Sequence, residues 1–541
     1  MAGKKSHAIP PDEADSTVRL APLASSGAFI LLSLLMIPYA GIQDDEALFA
    51  FPLWEPLGRH FELRIFHRHL PLMLMSYLGT LKTALYWPVL RLFGSSVWVL
   101  RLPVVLAGAV TVYFFFQLLR RSALRNPMAT AILGSFLLAT DPAFVLTNTF
   151  DWGPVALEHV LLTAGCYSLV RFHESRLSRY LAAGFFLFGL ALWNKALFLW
   201  ALTAVTVGGL LVFWPEVRGA WTRRNLATAA TWFFMGAFPF ILFNMRHSGS
   251  TVTENLHFDS EFLMHKWTQF ESAANGNALF GFIVEEDSAG SPKTVRSPTG
   301  RIAEWVHDRF GKHRSSGFAY VFLALMLLAP LWWKSRAARF SLLFIAVAGA
   351  MMAATKDAGG AAHHITLLWP FPQLFAAVAI MALPWRWMAG LAGVAVLTMN
   401  LLVMNQYIFQ LERNGAAGNF TDALFPLAGS LESHRQQPIW VIDWGIYYTM
   451  DLAARGHLPL GYAGDPLRTD TPNATERTQL AAVLANSNSI FVAHVPEREA
   501  FQGVNERLDR FAESAGYRKQ MLEVVPDSNG RPVFEIFRFA Q

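Results

Sequence analysis

Long apolar runs separated by short basic connections organise most of this chain. Eleven runs, centred near residues 30, 108, 138, 162, 187, 205, 235, 325, 347, 374 and 397, read as membrane crossings. A helix needs roughly 20 mostly apolar residues to span hydrocarbon. The connections after the second, fourth, sixth, eighth and tenth runs are "RRSALR" (120–125), "RFHESRLSR" (171–179), "PEVRGAWTRRN" (215–225), "KSRAAR" (334–339) and "WRW" (385–387). Each is short and basic, and Lys and Arg accumulate in cytoplasmic loops. The N-terminus is therefore expected inside. The connections 41–95, 148–153, the turn near 195, 247–316 and 356–363 are expected outside.

Past the last run the pattern changes. "PIWVID", "SIFVAHV", "QMLEVV" and "PVFEIFRF" are short β-rich runs, separated by helical stretches such as "TERTQLAAVLAN" and "EREAFQGVNERLDRFAESAG". That alternation predicts a small soluble α/β domain. The expected organisation is a cytoplasmic tail 1–19, a polytopic helical membrane domain 20–408 and an extracytoplasmic α/β domain 409–541. The last of these has no Gly-rich phosphate loop and reads as a lid or acceptor-docking module. No internal repeat of the transporter kind is visible.

Composition agrees with the pattern. The 541 residues are 53% hydrophobic and 15% charged, well to the apolar side of a soluble average. The 44 Phe and 18 Trp are the aromatic excess expected of helix ends at a lipid–water boundary. The net charge of +5 comes from short clusters between apolar runs, so it reads as a topology signal and not as nucleic-acid binding. The single cysteine, Cys166, lies inside an apolar run, which excludes an intramolecular disulfide and CxxC metal sites. No cleavage signal precedes the first run, and the short basic inner loops favour a bacterial inner membrane.

The first outer connection opens with three acids, Asp44, Asp45 and Glu46, where the chain leaves the hydrocarbon. Residues 45–57 and 70–93 are apolar but interrupted by Pro, Lys82, Arg91 and Gly, which predicts interfacial helices lying along the membrane surface. Such segments would roof the acids and shape a pocket reachable from lipid and from water.

Five stretches, in order, carry a family resemblance: "DEALFA", "HLPLM…YLGTLKTALYWPVLRLFGSSVWVLRLP", "LLATDPAFVLTNTFDW", "GLALWNKALFLW" and "HHITLLWPFPQLFAA". Together they resemble the lipid-dependent glycosyltransferases of the GT-C fold, in the branch of the protein O-mannosyltransferases and the aminoarabinose transferases of lipid A (glycosyltransferase family 39). The resemblance spans about residues 20 to 400. It implies a polyprenyl-phosphate sugar donor, an outward-facing active site and inverting transfer to an acceptor hydroxyl. It puts the family's Asp-Glu motif on Asp45 and Glu46, with Asp44 an extra acid. Many bacterial members carry Lys-Pro-Pro-Leu in the first loop, with the Lys holding the donor; "RHLPLM" puts His69 at that position.

Sugar transfer from a lipid phosphate needs a base at the attacking hydroxyl and a cation for the departing phosphate. A positioned carboxylate suits the first task, and Asp45 is the candidate, with Asp151 in "NTFDWGP" a second acid at the same level. For the phosphate, Lys195 stands inside a nearly continuous apolar stretch, where a charge usually faces a cavity or a partner. Arg101, Lys82, His364 and His69 are further candidates, while Glu158 and His159 read as a buried interhelical pairing. No spacing imposes a metal, and no cofactor is called. A divalent cation held by the oxygens of Asp45, Glu46 and Asp151 stays open beside neutralisation by Lys or Arg. Two other readings remain: a transporter or lipid flippase, since intramembrane charges also mark transport paths, and a non-catalytic scaffold.

Overall fold

The computed structural model describes residues 16–54, 58–122, 125–257, 263–286, 292–356 and 360–541. Most of the expected N-terminal tail, and parts of the outer connections 247–316 and 356–363, lie outside the described residues. Helix α1 (Ser16–Leu34) leads to the short α2 (Asp44–Leu48) and three strands, β1 (Phe61–Ile65), β2 (Arg68–Met75) and β3 (Leu78–Gly79). Then follow α3 (Leu81–Phe93), α4 (Val97–Ser122), α5 (Pro127–Thr140), α6 (Pro142–Thr147), α7 (Val155–Ser175), α8 (Ser178–Asn194), α9 (Phe198–Val212), α10 (Trp214–Ala220) and α11 (Arg223–Arg246). The large connection contributes α12 (Ser250–Asn255), α13 (Leu263–Asn275) and α14 (Pro298–Phe310). The bundle finishes with α15 (Phe318–Leu327), α16 (Ala329–Trp332), α17 (Arg336–Ala354), α18 (Ala362–Ile365), α19 (Phe371–Met381) and α20 (Arg386–Asn414).

All eleven apolar runs are helical, but length sorts them. Among the described residues six helices are long and apolar enough to cross a membrane, and up to eight if each bent pair counts as one span. The bent pairs are α9 with α10, turned by 100°, and the 362–368 segment with α19, turned by 50°. Helices α5 and α15 have 14 and 10 residues; at 1.5 Å per residue neither covers a hydrocarbon core of about 30 Å. Length alone therefore does not carry the expected count to eleven. The helices pack through α4, which contacts α1, α5 and α7, and through α8, which lies between α7 and α11. A Cβ on Gly189 would sit 2.3 Å from the Phe233 carbonyl oxygen, and one on Gly236 2.4 Å from that of Phe186. Small residues here let the α8 and α11 backbones touch, as is common where lipid removes the hydrophobic drive for helix association.

The first outer connection departs from the expected pair of interfacial helices. Residues 81–93 are helical, whereas 61–79 form an antiparallel sheet of order β1-β2-β3. Pro71 has no N–H to give a helix and pushes the residue before it toward extended backbone. The hairpin turns at Phe66, with φ +55°. The sheet docks on the turn between α8 and α9: the Trp193 indole N–H donates to the Leu72 carbonyl (2.9 Å), and Ala196 N–H to that of Tyr77 (2.9 Å). Only glycine fits at position 79, where a Cβ would overlap the Trp193 carbonyl oxygen at 1.9 Å.

Helix α20 continues past position 408 to Asn414, and α21 (Leu424–Glu432) follows. Strands β4 (Ile439–Val441), β5 (Leu460–Tyr462), β6 (Ile490–His494), β7 (Arg518–Pro526) and β8 (Pro532–Ala540) form a sheet of order β5-β4-β6-β8-β7. Strand β4 pairs parallel with β5 and β6, and β8 pairs antiparallel with β6 and β7. One face packs on α21 and α22 (Tyr447–Ala454), the other on α23 (Ala474–Ala485) and α24 (Val504–Ser514). Helix α22 rests on α2, which brings this unit to the three acids.

Candidate active site

The three acids share one short helix and diverge because successive residues on a helix are turned by about 100°. Gln43 starts α2 with a reciprocal cap: its side-chain oxygen accepts from Asp45 N–H at 2.7 Å, and Glu46 accepts from Gln43 N–H at 3.2 Å. Asp44 turns toward the C-terminal unit, where the backbone N–H groups of Tyr448 and Thr449 donate to it; burial nevertheless pushes its pKa up to about 8, helped by the charge of Asp45.

Glu46 turns inward to Arg101, and the pair is fully enclosed. The guanidinium donates from Nε and from Nη2 to the two carboxylate oxygens, both at 2.9 Å. Its other N–H groups reach the carbonyls of Ile37 (3.1 Å), Ala40 (3.0 Å) and Gly41 (2.5 Å). All five Arg101 donors are thus bonded within the chain. Glu46 also accepts from the Asp151 backbone N–H at 2.8 Å, which ties α2 to the connection between α6 and α7.

Asp151 is fully buried and faces Lys82 on α3, which donates to Oδ1 and, at 2.8 Å, to the Gly153 carbonyl. The Tyr86 hydroxyl lies 3.0 Å from Oδ2 and 2.6 Å from the Leu100 carbonyl. Burial lowers the Lys82 pKa and raises that of Asp151, and each partner opposes the other's shift. Lys82 and Tyr86 are four residues apart, so one helix face presents both.

Asp45 is the half-buried member of the three. Beyond the 3.1 Å bond from Gln43 Nε2, its carboxylate faces Lys195 and Lys82; burial pushes its pKa up, and Gln43 and the two ammonium groups oppose this. Lys195 follows α8 at the turn pinned by β3 and is 4% exposed. Among the described residues its ammonium makes no hydrogen bond or ion pair. Burial lowers its pKa to about 8, against the opposing charges of Glu158 and Asp45.

The other candidates lie apart or to one side. His69 is on the exposed β1–β2 hairpin, 2.5 Å from Glu62. His364 sits beside His363 (ring centroids 4.3 Å), which stacks on Trp152 at 5.1 Å, next to Asp151 in sequence. Glu158 accepts from Asn194 at 2.7 Å, and His159 bridges Asn148 and the Thr366 carbonyl. The residues that sequence reasoning missed are Gln43, Tyr86, Trp152 and the Tyr448 and Thr449 amides. The four-residue spacing of Lys82 and Tyr86 was the one local signal available.

A hard cation held by Asp45, Glu46 and Asp151 does not fit this arrangement. The Glu46 oxygens are taken by Arg101 and two backbone N–H groups, and those of Asp151 by Lys82 and Tyr86. Among the described residues no three metal-ligating side chains converge.

Comparison with known proteins agrees with this architecture. Residues 81–243 match the family model described as dolichyl-phosphate-mannose-protein mannosyltransferase. The fold is similar to that of ArnT from Cupriavidus metallidurans bound to undecaprenyl phosphate, with TM-score 0.54 and 14% identity over 96% of this chain and 97% of that one. The same protein in its apo state matches with TM-score 0.53 and 14% identity, over 96% and 97% of the two chains. No curated protein sequence matches the chain. The molecule is a multi-helix membrane protein of the GT-C fold. Within that class it resembles the membrane glycosyltransferases, in agreement with the resemblance of the ordered sequence motifs.

Proposed function

We propose that this chain is an inverting, membrane-embedded glycosyltransferase that moves a sugar from a polyprenyl-phosphate donor to an acceptor hydroxyl on the outer side of a bacterial inner membrane. The observation that carries this reading is the pairing of a half-buried carboxylate, Asp45, with a buried ammonium, Lys195, that has no hydrogen-bond or ion-pair partner among the described residues. In the reaction, Asp45 accepts the proton of the acceptor hydroxyl as its oxygen attacks the anomeric carbon. The bond from that carbon to the phosphate oxygen breaks, and its electron pair leaves with the phosphate. Lys195 neutralises that charge, and a desolvated cation does this far better than one in water.

The remaining candidates take other roles. Glu46 and Arg101 are positioning residues: their closed ion pair holds α2 against the start of α4, which aims Asp45. The Lys82–Asp151 pair supplies a second positive neighbour to Asp45 and fixes the floor beside Trp152. His364 is a reserve donor at the phosphate, and His69 stands outside the group. The C-terminal α/β unit, through α22 on Asp44, acts as a lid or docking module for the acceptor.

The test is turnover with extracted membranes and a polyprenyl-phosphate sugar. Asp45→Asn should lower sugar transfer about 10²–10⁴-fold and leave binding of the lipid-linked sugar nearly unchanged. Full transfer by Asp45→Asn, or loss of transbilayer lipid movement in place of transfer, would overturn the assignment and favour a flippase.

A further inference from the structure

The opposite end of the bundle contains a cavity that the chemistry at Asp45 does not use. Arg101 and Arg121 lie on one helix, α4, twenty residues apart, which at 1.5 Å per residue is about 30 Å. Beside Arg121 a cavity of about 670 Å³ opens between α4, α7, α8, α9, α11, α17 and α19. Its floor is apolar and includes Cys166, Phe188, Phe371 and Leu374. Its side is open toward lipid: Leu210 on α9, Leu226 on α11 and Trp221 between α10 and α11 line it, and all three are exposed. Helix α9 packs on α17 and α8, whereas α11 packs chiefly on α8, so the gap between α9 and α11 is a lateral mouth.

At the mouth the lining turns basic. Arg121, His173, Arg176 and Arg336 line it, with Glu216 as the one acid. Arg336 is committed to Glu216 at 2.5 and 2.6 Å, and Arg121 is 3.4 Å from Glu174. The side chains of His173 and Arg176 make no hydrogen bond or ion pair among the described residues. Helix α10, turned by 100° from α9, lies across the end of the bundle with Trp214 exposed, as a helix at a membrane surface would.

The apolar floor of this cavity offers water no polar partners, whereas an alkyl chain makes dispersion contacts along it. An alkyl chain from the adjoining leaflet fills it and brings its head group to the basic rim. We propose that this cavity is a site for one anionic phospholipid, with an acyl chain between α9 and α11 and the phosphate between Arg121, His173 and Arg176. The polyprenyl phosphate of the proposed reaction is a different molecule, because its phosphate belongs at Lys195, and the 17 residues of α8 between Arg176 and Lys195 put the two about 25 Å apart. The site stands independently of the sugar-transfer reading, since no residue is shared.

The test uses the full chain in nanodiscs of phosphatidylcholine and phosphatidylglycerol, with a photoreactive diazirine on an acyl chain of either lipid. Phosphatidylglycerol should label peptides of α9 and α11 in preference to phosphatidylcholine. A Cβ on Gly209, which lines the cavity, meets nothing within 4 Å. Gly209→Phe therefore fills the space without a backbone clash and should reduce labelling about tenfold. Ala229→Leu, also on the lining, gives a second filling variant should the first fold poorly. Arg176→Asn keeps a residue tolerant of the left-handed backbone at φ +57° and should remove the preference for the anionic head group. Equal labelling of the wild type and both filling variants would overturn the proposal. So would equal labelling by the two lipids, or displacement of phosphatidylglycerol by a polyprenyl phosphate probe.

Discussion

Two arginine–glutamate pairs stand at opposite ends of the bundle and make similar contacts in different surroundings. Arg101 meets Glu46 at 2.9 Å with both side chains fully enclosed. Arg336 meets Glu216 at 2.5 and 2.6 Å with 36% and 25% of their side chains exposed. In water an ion pair exchanges hydration for contact with little net gain, whereas an enclosed pair cannot lose one member without stranding the other. The same two residue types are therefore a rigid positioning device beside Asp45 and a solvated clasp at the α9–α10 corner. Between these extremes lie Asp45 and Lys195, which are enclosed enough to have shifted proton affinities yet are not consumed by each other. Enclosure without saturation is what separates the proposed reacting groups from their structural neighbours.

The contrast can be tested in order of effect. Asp45→Asn should lower sugar transfer about 10²–10⁴-fold, the range of a lost general base, with the thermal transition unmoved; a large fall in thermal stability would mean that Asp45 is structural like Glu46. Arg101→Met should strand the Glu46 carboxylate and cost about 3–5 kcal/mol of stability, read from thermal or denaturant unfolding. Glu46→Leu combined with Arg101→Met should recover part of that loss, because no lone charge remains.

The pH dependence follows from Lys195. Its proton affinity is lowered to about 8, so the cationic form is present below that pH and is lost as pH rises through it. Transfer should decline on the alkaline side near pH 8, and Lys195→Arg, which stays protonated, should carry the decline to higher pH. An unchanged profile in Lys195→Arg would remove Lys195 from the phosphate. The smallest effect belongs to the exposed clasp: Arg336→Met should change stability by about 1 kcal/mol or less.

Much of the architecture is legible along the chain, because a helix in lipid must satisfy its backbone internally and show apolar side chains all round. That requirement writes itself into long runs, and all eleven runs are helical. Where contacts compete with local preference the reading weakens. The stretch before α3 reads as an amphipathic helix, yet Pro71 and docking on Trp193 make it a sheet. The candidate groups were visible as residue types in and beside the connections between apolar runs. Their roles were not, since Asp44, Asp45 and Glu46 are identical in kind and adjacent in sequence.

The order of apolar runs, the basic connections and the ordered motifs belong to the chain itself, since each depends on neighbours a few residues away. Only the folded molecule divided the acids: a turn of about 100° per residue sent one to α22, one to Arg101, and left one facing two lysines. Partners drawn from positions 82, 101, 195 and 448 meet at a single short helix. Proximity across hundreds of residues is a property of packing, and no local pattern encodes which carboxylate it will leave unclaimed.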